Sequence, residues 1–454
     1  MECKKKHGSL DQQSFGYKQT RLVFSKELEK QLVEYLITAS NIFHGLTITE
    51  LRELAYELAE ANELKMPKTW IEIRLAGIEW ARGFIKRHWD EISMRTPEAT
   101  SLQRMSSLNK HNVELFYNNL EKAMEKGFTC DRIWNVDETG VTTIQKPVKQ
   151  IAKKGEKRVG AIVAQERGTL VTVCCSINAA GNHIPPFLVF PRVNAQDHWR
   201  LTLPPGAAVE GHPKASGWMT QENFISFLKH FTKYTKPTSE SPVLLLLDNH
   251  KSHISLKAVN YCRENHITLL SFPPHCSHEV QPLDKCVYGP FKTFCNQASD
   301  RWCHDPLNAG KPMTIHTIPS VVNYDFVHAF NQKNILSAFR STGVDSFDRN
   351  AIPEDRFLPS YTTDRPLPES SANNTGPDSA EHHSTSVQLP SGSGAPAGVT
   401  NQSVSPFAIR PFRKAVPCKT LKKKTMSSEI YTSSPVKETG IGTSFQKREQ
   451  KVCR

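Results

Sequence analysis

Three aspartates stand where a chain can gather carboxylates at one point. Asp137 ends the strand-like stretch Arg132-Ile133-Trp134-Asn135-Val136-Asp137, and Asp248 ends the run Pro242-Val243-Leu244-Leu245-Leu246-Leu247-Asp248. A fully apolar run of this kind reads as a strand buried on both faces. Reactive side chains of open α/β sheets collect at the carboxyl ends of strands. Asp284 comes 36 residues after Asp248, just before a helical stretch over Lys285–Gln297, where it can point back toward the sheet edge. Three carboxylates that meet repel one another unless something neutralises them. Divalent cations do so, and Mg²⁺ prefers a few carboxylate oxygens plus water and phosphate. Two such ions about 3.5–4 Å apart activate water on one side of a phosphodiester and stabilise the leaving oxygen on the other. Spacing alone does not single out this triple, because a chain with 45 acids holds many like it.

The elements that must position these acids follow from composition and periodicity. Residues 1–24 are polar and basic, read as a flexible N-terminus. Residues 25–98 read as successive helices, 99–129 as a helical connector, and 130–345 as alternating strands and helices. Residues 346–454 are rich in Ser, Thr and Pro without hydrophobic periodicity, which predicts a disordered tail. The expected class is α+β multidomain: an all-α domain, then an α/β domain on a mixed sheet. In the helical region Ser25 can cap a helix with Leu28, Leu32, Tyr35 and Leu36 on one face. Thr47 and Glu50 fit a capping box. Leu51, Leu54, Ala55, Leu58 and Ala59 then form one stripe. Met66-Pro67 breaks the pattern, and a third helix near 76–88 buries Trp80 and Phe84. Its other side carries Arg82, Lys86, Arg87 and His88. Short helices with such a face suit a helix-turn-helix that holds DNA phosphates, as they also suit an ordinary bundle with solvated cations. In the second half, Thr169–Ile177 reads as strand with a turn at Asn178–Asn182, Gln221–Phe231 as helix, Leu256–Glu264 as helix and Ile267–Ser271 as strand.

Bulk properties agree with a polyanion partner. There are 57 Lys and Arg against 45 Asp and Glu, a net charge of +12. Such a balance attracts nucleic acid first of all. No run reaches the roughly 18 apolar residues of a membrane helix, so no membrane partner is expected. The N-terminus has no apolar stretch, which excludes a secretory signal. Eleven scattered cysteines without a CxxC read as reduced thiols.

The residues around the three acids carry more information than their spacing. They read WNVDETG at 134–140, LLLLDNHKSH at 244–253 and SFPPHCSHEVQPLDKCVYGPFK at 271–292. These segments resemble the endonuclease domain of the pogo/Tigger-like transposases of the mariner superfamily. GNHIPPFLVF at 181–190, Gly217-Trp218-Met219 with Phe224, and Asn334–Gly343 resemble further pieces in order. Phe43–Thr47, Gly77–Trp80 and Phe84–His88 resemble the second helix-turn-helix of a centromere-protein-B-type DNA-binding domain. The resemblance covers roughly Phe24 to Gly343. It implies an RNase-H-like core of the DDE superfamily, two Mg²⁺ or Mn²⁺ ions, and hydrolysis then strand transfer on double-stranded DNA. Asp137, Asp248 and Asp284 inherit the catalytic, metal-ligand role, with the metal rather than a protein base lowering the pKa of the attacking group. Arg82, Lys86, Arg87, Arg95 and Arg104 are the expected DNA contacts. His250, His275 and Gln281 are expected to border the site. A homodimer on DNA and a nuclear location are expected alongside.

Rival readings stand beside these. Glu138 adjoins Asp137, but neighbouring strand residues face opposite ways. Glu279 lies 31 residues after Asp248 and competes with Asp284 for the third place. His250 and His253 lack a Cys or His pair at zinc spacing, and His275, Cys276 and His278 carry the same caution. The family has two helix-turn-helix units before its nuclease, and the 24 residues preceding the visible one are too few for the other. The alternative function is therefore a domesticated nuclear DNA-binding protein that keeps the nuclease fold without catalysis. Lys422-Lys423-Lys424 read as a nuclear-import or DNA-contact run, and Ser434-Pro435 as a weak phosphosite.

Overall fold

A computed structural model describes residues 22–144, 151, 153–154, 168–212, 214, 216–250, 252–362, 403–412 and 427–432. Lys422, Lys423, Lys424 and Ser434-Pro435 lie outside these. The chain divides into two compact units, residues 1–99 with 361–418, and residues 100–360 with 419–454.

The first unit is helical. It contains α1 (Lys26–Asn41), α2 (Ile48–Ala61), α3 (Lys68–Ile73) and α4 (Ile78–Arg87). Ser25 Oγ accepts from the Leu28 N–H at 3.2 Å and so caps α1. Thr47 and Glu50 close the expected capping box at the start of α2. The predicted stripe Leu51, Leu54, Ala55, Leu58 and Ala59 is buried throughout. Trp80 stacks on Phe84 with ring centroids 5.4 Å apart and meets Trp70 edge-on at the same distance. Helix α3 was not anticipated, because six residues are too few for a periodicity to show.

The expectation of a disordered tail over 346–454 needs amending at three places. Residues 403–412 belong to this helical unit. A turn at Pro406–Ile409 lays Phe407, Ile409 and Phe412 on its core. Phe412 stacks on Tyr35 at 4.8 Å, and Arg410 makes a bidentate pair with Glu57 at 2.7 and 2.6 Å. Three apolar side chains and one planar guanidinium give a short peptide enough to dock, though too little to stand out as periodicity.

The second unit holds the sheet. Its elements are α5 (Leu102–Ser107), α6 (Lys110–Met124), β1 (Ile133–Thr142), β2 (Leu170–Asn178), β3 (Phe187–Phe190), α7 (His198–Leu201), β4 (Ala208–Gly211), α8 (Gln221–Thr235), β5 (Val243–Leu247), α9 (Leu256–Glu264), β6 (Ile267–Ser271), α10 (Ser277–Val280), α11 (Tyr288–His304), α12 (Ile318–Ala329) and α13 (Gln332–Ser341). The strand order is β4-β3-β2-β1-β5-β6. β1 runs antiparallel to β2, β2 to β3, while β1, β5 and β6 are parallel. This is a mixed sheet with helices packed on it, the α/β class expected for this region. Alternate residues of the strands feed two cores, one on each face. Ile133, Cys175, Leu244 and Leu246 pack with α6, α11, α12 and α13, and Trp134, Val136, Leu245 and Leu247 pack with α8 and α9.

Helix α6 is therefore not a connector. Val113, Phe116, Tyr117, Leu120 and Ala123 face the sheet and are buried there. The unit also runs past residue 345, with Ile352 and Phe357 in the same core.

Residues 427–432 are the third amendment. They join the edge of β6, where Ile430 pairs antiparallel with Leu270. The Ser271 N–H donates to Glu429 O and the Tyr431 N–H to Leu269 O, both at 3.1 Å. The Tyr431 hydroxyl donates to Asn249 Oδ1 at 3.0 Å, and the ring is buried. An open strand edge offers unpaired N–H and C=O groups, and this segment satisfies them. Tyr431→Ala should cost about 3 kcal/mol, the typical effect of emptying a buried aromatic site. Calorimetry should then show melting of the sheet-bearing unit lowered by roughly 10 °C. An unshifted melting temperature would mean that the segment does not hold the edge.

Candidate active site

Strand register brings the first two acids level. In the parallel pairing of β1 with β5, Asn135 lies opposite Leu246. Asp137 and Asp248 each stand two residues further on; Asp248 directly follows the end of β5, whereas Asp137 lies in the middle of β1, which runs on to Thr142 rather than ending at the acid. Asp284 enters from a different direction. It sits in a π-helical turn, Leu283–Val287, that leads directly into α11. Such turns hold an extra residue and re-aim the side chains they carry. The Leu283 N–H donates to Asn135 Oδ1 at 2.9 Å, and the Tyr288 hydroxyl donates to the Asp137 carbonyl at 2.6 Å. All three acids are half-buried.

Their charges act on one another. Burial, then the charges of Asp284 and Asp248, push the Asp137 carboxyl well above the usual range. Burial also raises Asp284, against the pull of Lys292 and Arg104. Asp248 moves the other way. Burial acts to raise it, but its hydrogen bond to His253, the His253 charge and the His250 N–H outweigh that. His253 Nδ1 lies 2.6 Å from Asp248 Oδ1, and its Nε2 lies 2.9 Å from Glu138 Oε1. Burial alone would pull this imidazole down, yet the two carboxylates take it up to about 10.

Glu138 does face away from Asp137, as strand alternation required. It still joins the site, because His253 carries its charge round to Asp248. This link was not legible in sequence. Glu138 and His253 lie 115 positions apart, and no local pattern couples them.

The donor set suits a hard divalent cation. It is all oxygen, and Asp137 is strongly disfavoured as an anion beside two like charges unless a cation arrives. Among the described residues no three His, Cys, Asp or Glu side chains enclose an ion by themselves. An ion here would keep water or phosphate oxygens among its ligands, as Mg²⁺ does.

The rival acids and histidines sort clearly. Glu279 is buried and ion-paired with Lys285 and Arg356, so it is committed to structure. The His250 ring lies 2.6 Å from Ser252 Oγ, and its backbone N–H donates to Asp248 Oδ1 at 3.0 Å. His275 is exposed with a left-handed backbone, φ 61°. Gln281 does not border an open site. Its side chain is fully buried, and its amide has no hydrogen-bond partner among the described residues. Cys276 is a buried thiol pushed up to about 12 by burial, which suits core packing rather than zinc.

The proposed DNA contacts divide between the units. Arg82, Lys86 and Arg95 are exposed in the helical unit, Arg82 beside Glu79 at 2.7 Å and Arg95 Nε on Ser93 Oγ at 3.2 Å. Arg87 differs from these in having a partner beneath it. Its guanidinium is bound to the buried carboxylate of Glu29, which also meets His88 Nε2 at 3.2 Å. It holds α4 to α1. Arg87→Ala should lower stability by about 2 kcal/mol, less than for a fully buried pair because the guanidinium is partly solvated. Lys86→Ala should leave stability within about 0.5 kcal/mol. Denaturant melts of the two variants check this, and equal midpoints would return Arg87 to the list of free cations. Arg104 belongs to the sheet-bearing unit, where its charge acts on Asp284. Lys292 acts with it and was missed, because it stands eight residues after the acid within a helix that shows no basic cluster.

Residues 167–344 match the family model described as DDE superfamily endonuclease. The matched stretch contains Asp248 and Asp284 and leaves Asp137, on β1, outside it. A curated relative, the MFS-type transporter clz9 of Cochliobolus lunatus, is 33% identical over 217 residues. That match takes in 47% of this chain and 23% of the relative, so the chain spans about a quarter of that protein's length. No helix among the described residues is long and apolar enough to cross a membrane. Among solved structures, the chain is similar to the Mos1 strand transfer complex at 12% identity and a TM-score of 0.43, over 78% of this chain and 81% of that one. The Mos1 mariner paired-end complex with Mg gives the same identity and score over 78% and 82%. The catalytic domain of the Mos1 mariner transposase is similar at 11% identity and a TM-score of 0.31, over 58% and 98%.

Proposed function

We propose that this chain is a nuclear, transposase-type protein that binds double-stranded DNA and cuts it with Asp137, Asp248 and Asp284 around two divalent ions, Mg²⁺ or Mn²⁺. The observation that carries this is the arrival of three carboxylates from β1, β5 and the π-helical turn within electrostatic reach of one another, two of them in the stretch that matches the DDE superfamily endonuclease model. Bound there, the ions would supply an activated water or 3′-hydroxyl and neutralise charge at the leaving oxygen. The chain's own residues do the rest. Asp137, Asp248 and Asp284 hold the ions, His253 keeps one oxygen of Asp248 turned inward, and Arg104 and Lys292 present positive charge to phosphate beside Asp284. Arg82, Lys86 and Arg95 offer exposed cations for the duplex backbone, and a homodimer on DNA is compatible with this reading.

The test is incubation of the purified chain and its Asp248→Ala variant with Mg²⁺ or Mn²⁺ and duplex DNA bearing inverted terminal repeats. Metal-dependent nicking by the wild type alone supports the reading. DNA binding without nicking by either would instead favour a domesticated DNA-binding protein, and equal nicking by both would reject the three acids.

A further inference from the structure

We propose that Asn135 is the positioning residue that fixes the three acids relative to one another. This deepens the reading above and rests on it. The side chain is fully buried, at 0% exposure. Its Nδ2 donates to Leu246 O at 3.2 Å and is the same distance from Val136 O, while its Oδ1 accepts from the Leu283 N–H at 2.9 Å. Asn135 precedes Asp137 by two residues, Leu246 precedes Asp248 by two, and Leu283 precedes Asp284 by one. One amide therefore binds the backbone beside each acid. The sheet ladder already joins β1 to β5. The π-helical turn is outside the sheet, and the bond from Leu283 to Asn135 is what draws it in. Tyr288 closes the ring one turn later through the Asp137 carbonyl.

Asparagine suits this position for a physical reason. The two backbone groups need one acceptor and one donor from a single uncharged, planar side chain. Leucine has the shape without either. Serine is too short to span both. An ionised aspartate lacks the donor and adds a fourth charge. A buried backbone group left without a partner is costly, so the loss of this amide should loosen the turn that carries Asp284 against the two strands.

The experiment uses the full chain with Asn135→Leu and Asn135→Ser. The serine variant leaves room for water at the two backbone groups, so it keeps the test decisive if the leucine variant does not fold. Asn178→Ala is the control. Asn178, on the neighbouring strand, is likewise buried and bonds backbone, donating to Asp131 O at 3.2 Å and accepting from the Asn182 N–H at 2.8 Å, so its bonds go to turns rather than to the segments beside Asp248 and Asp284. Each protein is checked by circular dichroism and melting, titrated with Mn²⁺ alone by calorimetry, and assayed for nicking. The expected result is roughly 10–100-fold weaker Mn²⁺ binding by the folded Asn135 variants, the usual scale for residues that orient metal ligands. Their kcat should fall in step, KM for DNA should hold, and excess Mn²⁺ should partly restore cutting. Asn178→Ala should lose melting temperature only. Asn135 variants that lose melting temperature but bind Mn²⁺ as the wild type does would overturn the positioning role. A wild type that neither binds Mn²⁺ nor nicks DNA would instead overturn the functional reading, and the positioning role with it.

Discussion

Asp137→Asn should abolish metal-dependent cleavage and, in the same protein without metal, raise thermal stability. The two effects have one cause. Asp137 is the acid most penalised by its surroundings, through burial and the charges of Asp284 and Asp248. Asparagine keeps its shape and removes the charge. Folding without a cation then no longer forces a third carboxylate against two others, which is worth on the order of 1 kcal/mol or more. Cleavage should fall at least about a thousand-fold, equivalent to roughly 4 kcal/mol of barrier. Melting curves with and without Mn²⁺ check the stability half. The wild type should be stabilised by the ion through mass action, and Asp137→Asn should start higher and gain little. A plasmid nicking assay checks the other half. If the variant cuts near the wild-type rate, Asp137 is not a ligand.

The second large effect is expected at His253. This imidazole stands between two carboxylates, 2.6 Å from one and 2.9 Å from the other. Its side chain is 4% exposed, against 22% for Glu138 and 34% for Asp248. His253→Ala removes the group that separates them and leaves two partly buried charges without it. Breaking a buried pair costs about 3–5 kcal/mol, and partial solvation of Asp248 reduces this to about 2–4. Glu138→Gln should relieve part of the loss. In a double-mutant cycle the two substitutions should therefore couple by about 1–3 kcal/mol. His253→Ala should also weaken Mn²⁺ binding, because Asp248 Oδ1 is then free to turn. Additive single and double variants would show that His253 and Glu138 do not act together.

The first two acids were legible because the residues before them are Val-Leu-Leu-Leu-Leu and Ile-Trp-Asn-Val, runs that only a strand within a two-faced core explains. Their shared level followed from a parallel register that the sequence does not show. The capping box at Thr47 and the stripe from Leu51 to Ala59 were local signals and appeared where expected. What stayed hidden is non-local. Arg87 looks like any basic residue on a helix face until Glu29, 58 positions earlier, is found under it. Helix α6 has the periodicity of a surface helix, and only the fold reveals that the sheet is its partner. The two docked pieces of the tail escaped notice because six to ten residues in polar surroundings carry no period. Asn135 did leave a trace, as a lone amide in a buried strand, but its partner Leu283 is named only by the structure.

The π-helical turn at Leu283–Val287 bears on how this site can drift in sequence. Between Asp248 and Asp284 lie α9, β6, α10 and their connections. Residues added to those connections need not move Asp284, because its place is set by the bond from Leu283 to Asn135 and by the turn itself. Deleting one residue within Leu283–Val287 is a different matter. It would convert the turn to ordinary α-helix, swing Asp284 about the helix axis by roughly 100°, one residue's rotation at 3.6 per turn, and aim it away from the two strands. The interval between the second and third acids is thus elastic over most of its length and rigid over five residues. Length variation in related chains should therefore collect before the Gln-Pro-Leu-Asp segment at 281–284 and be absent immediately after it.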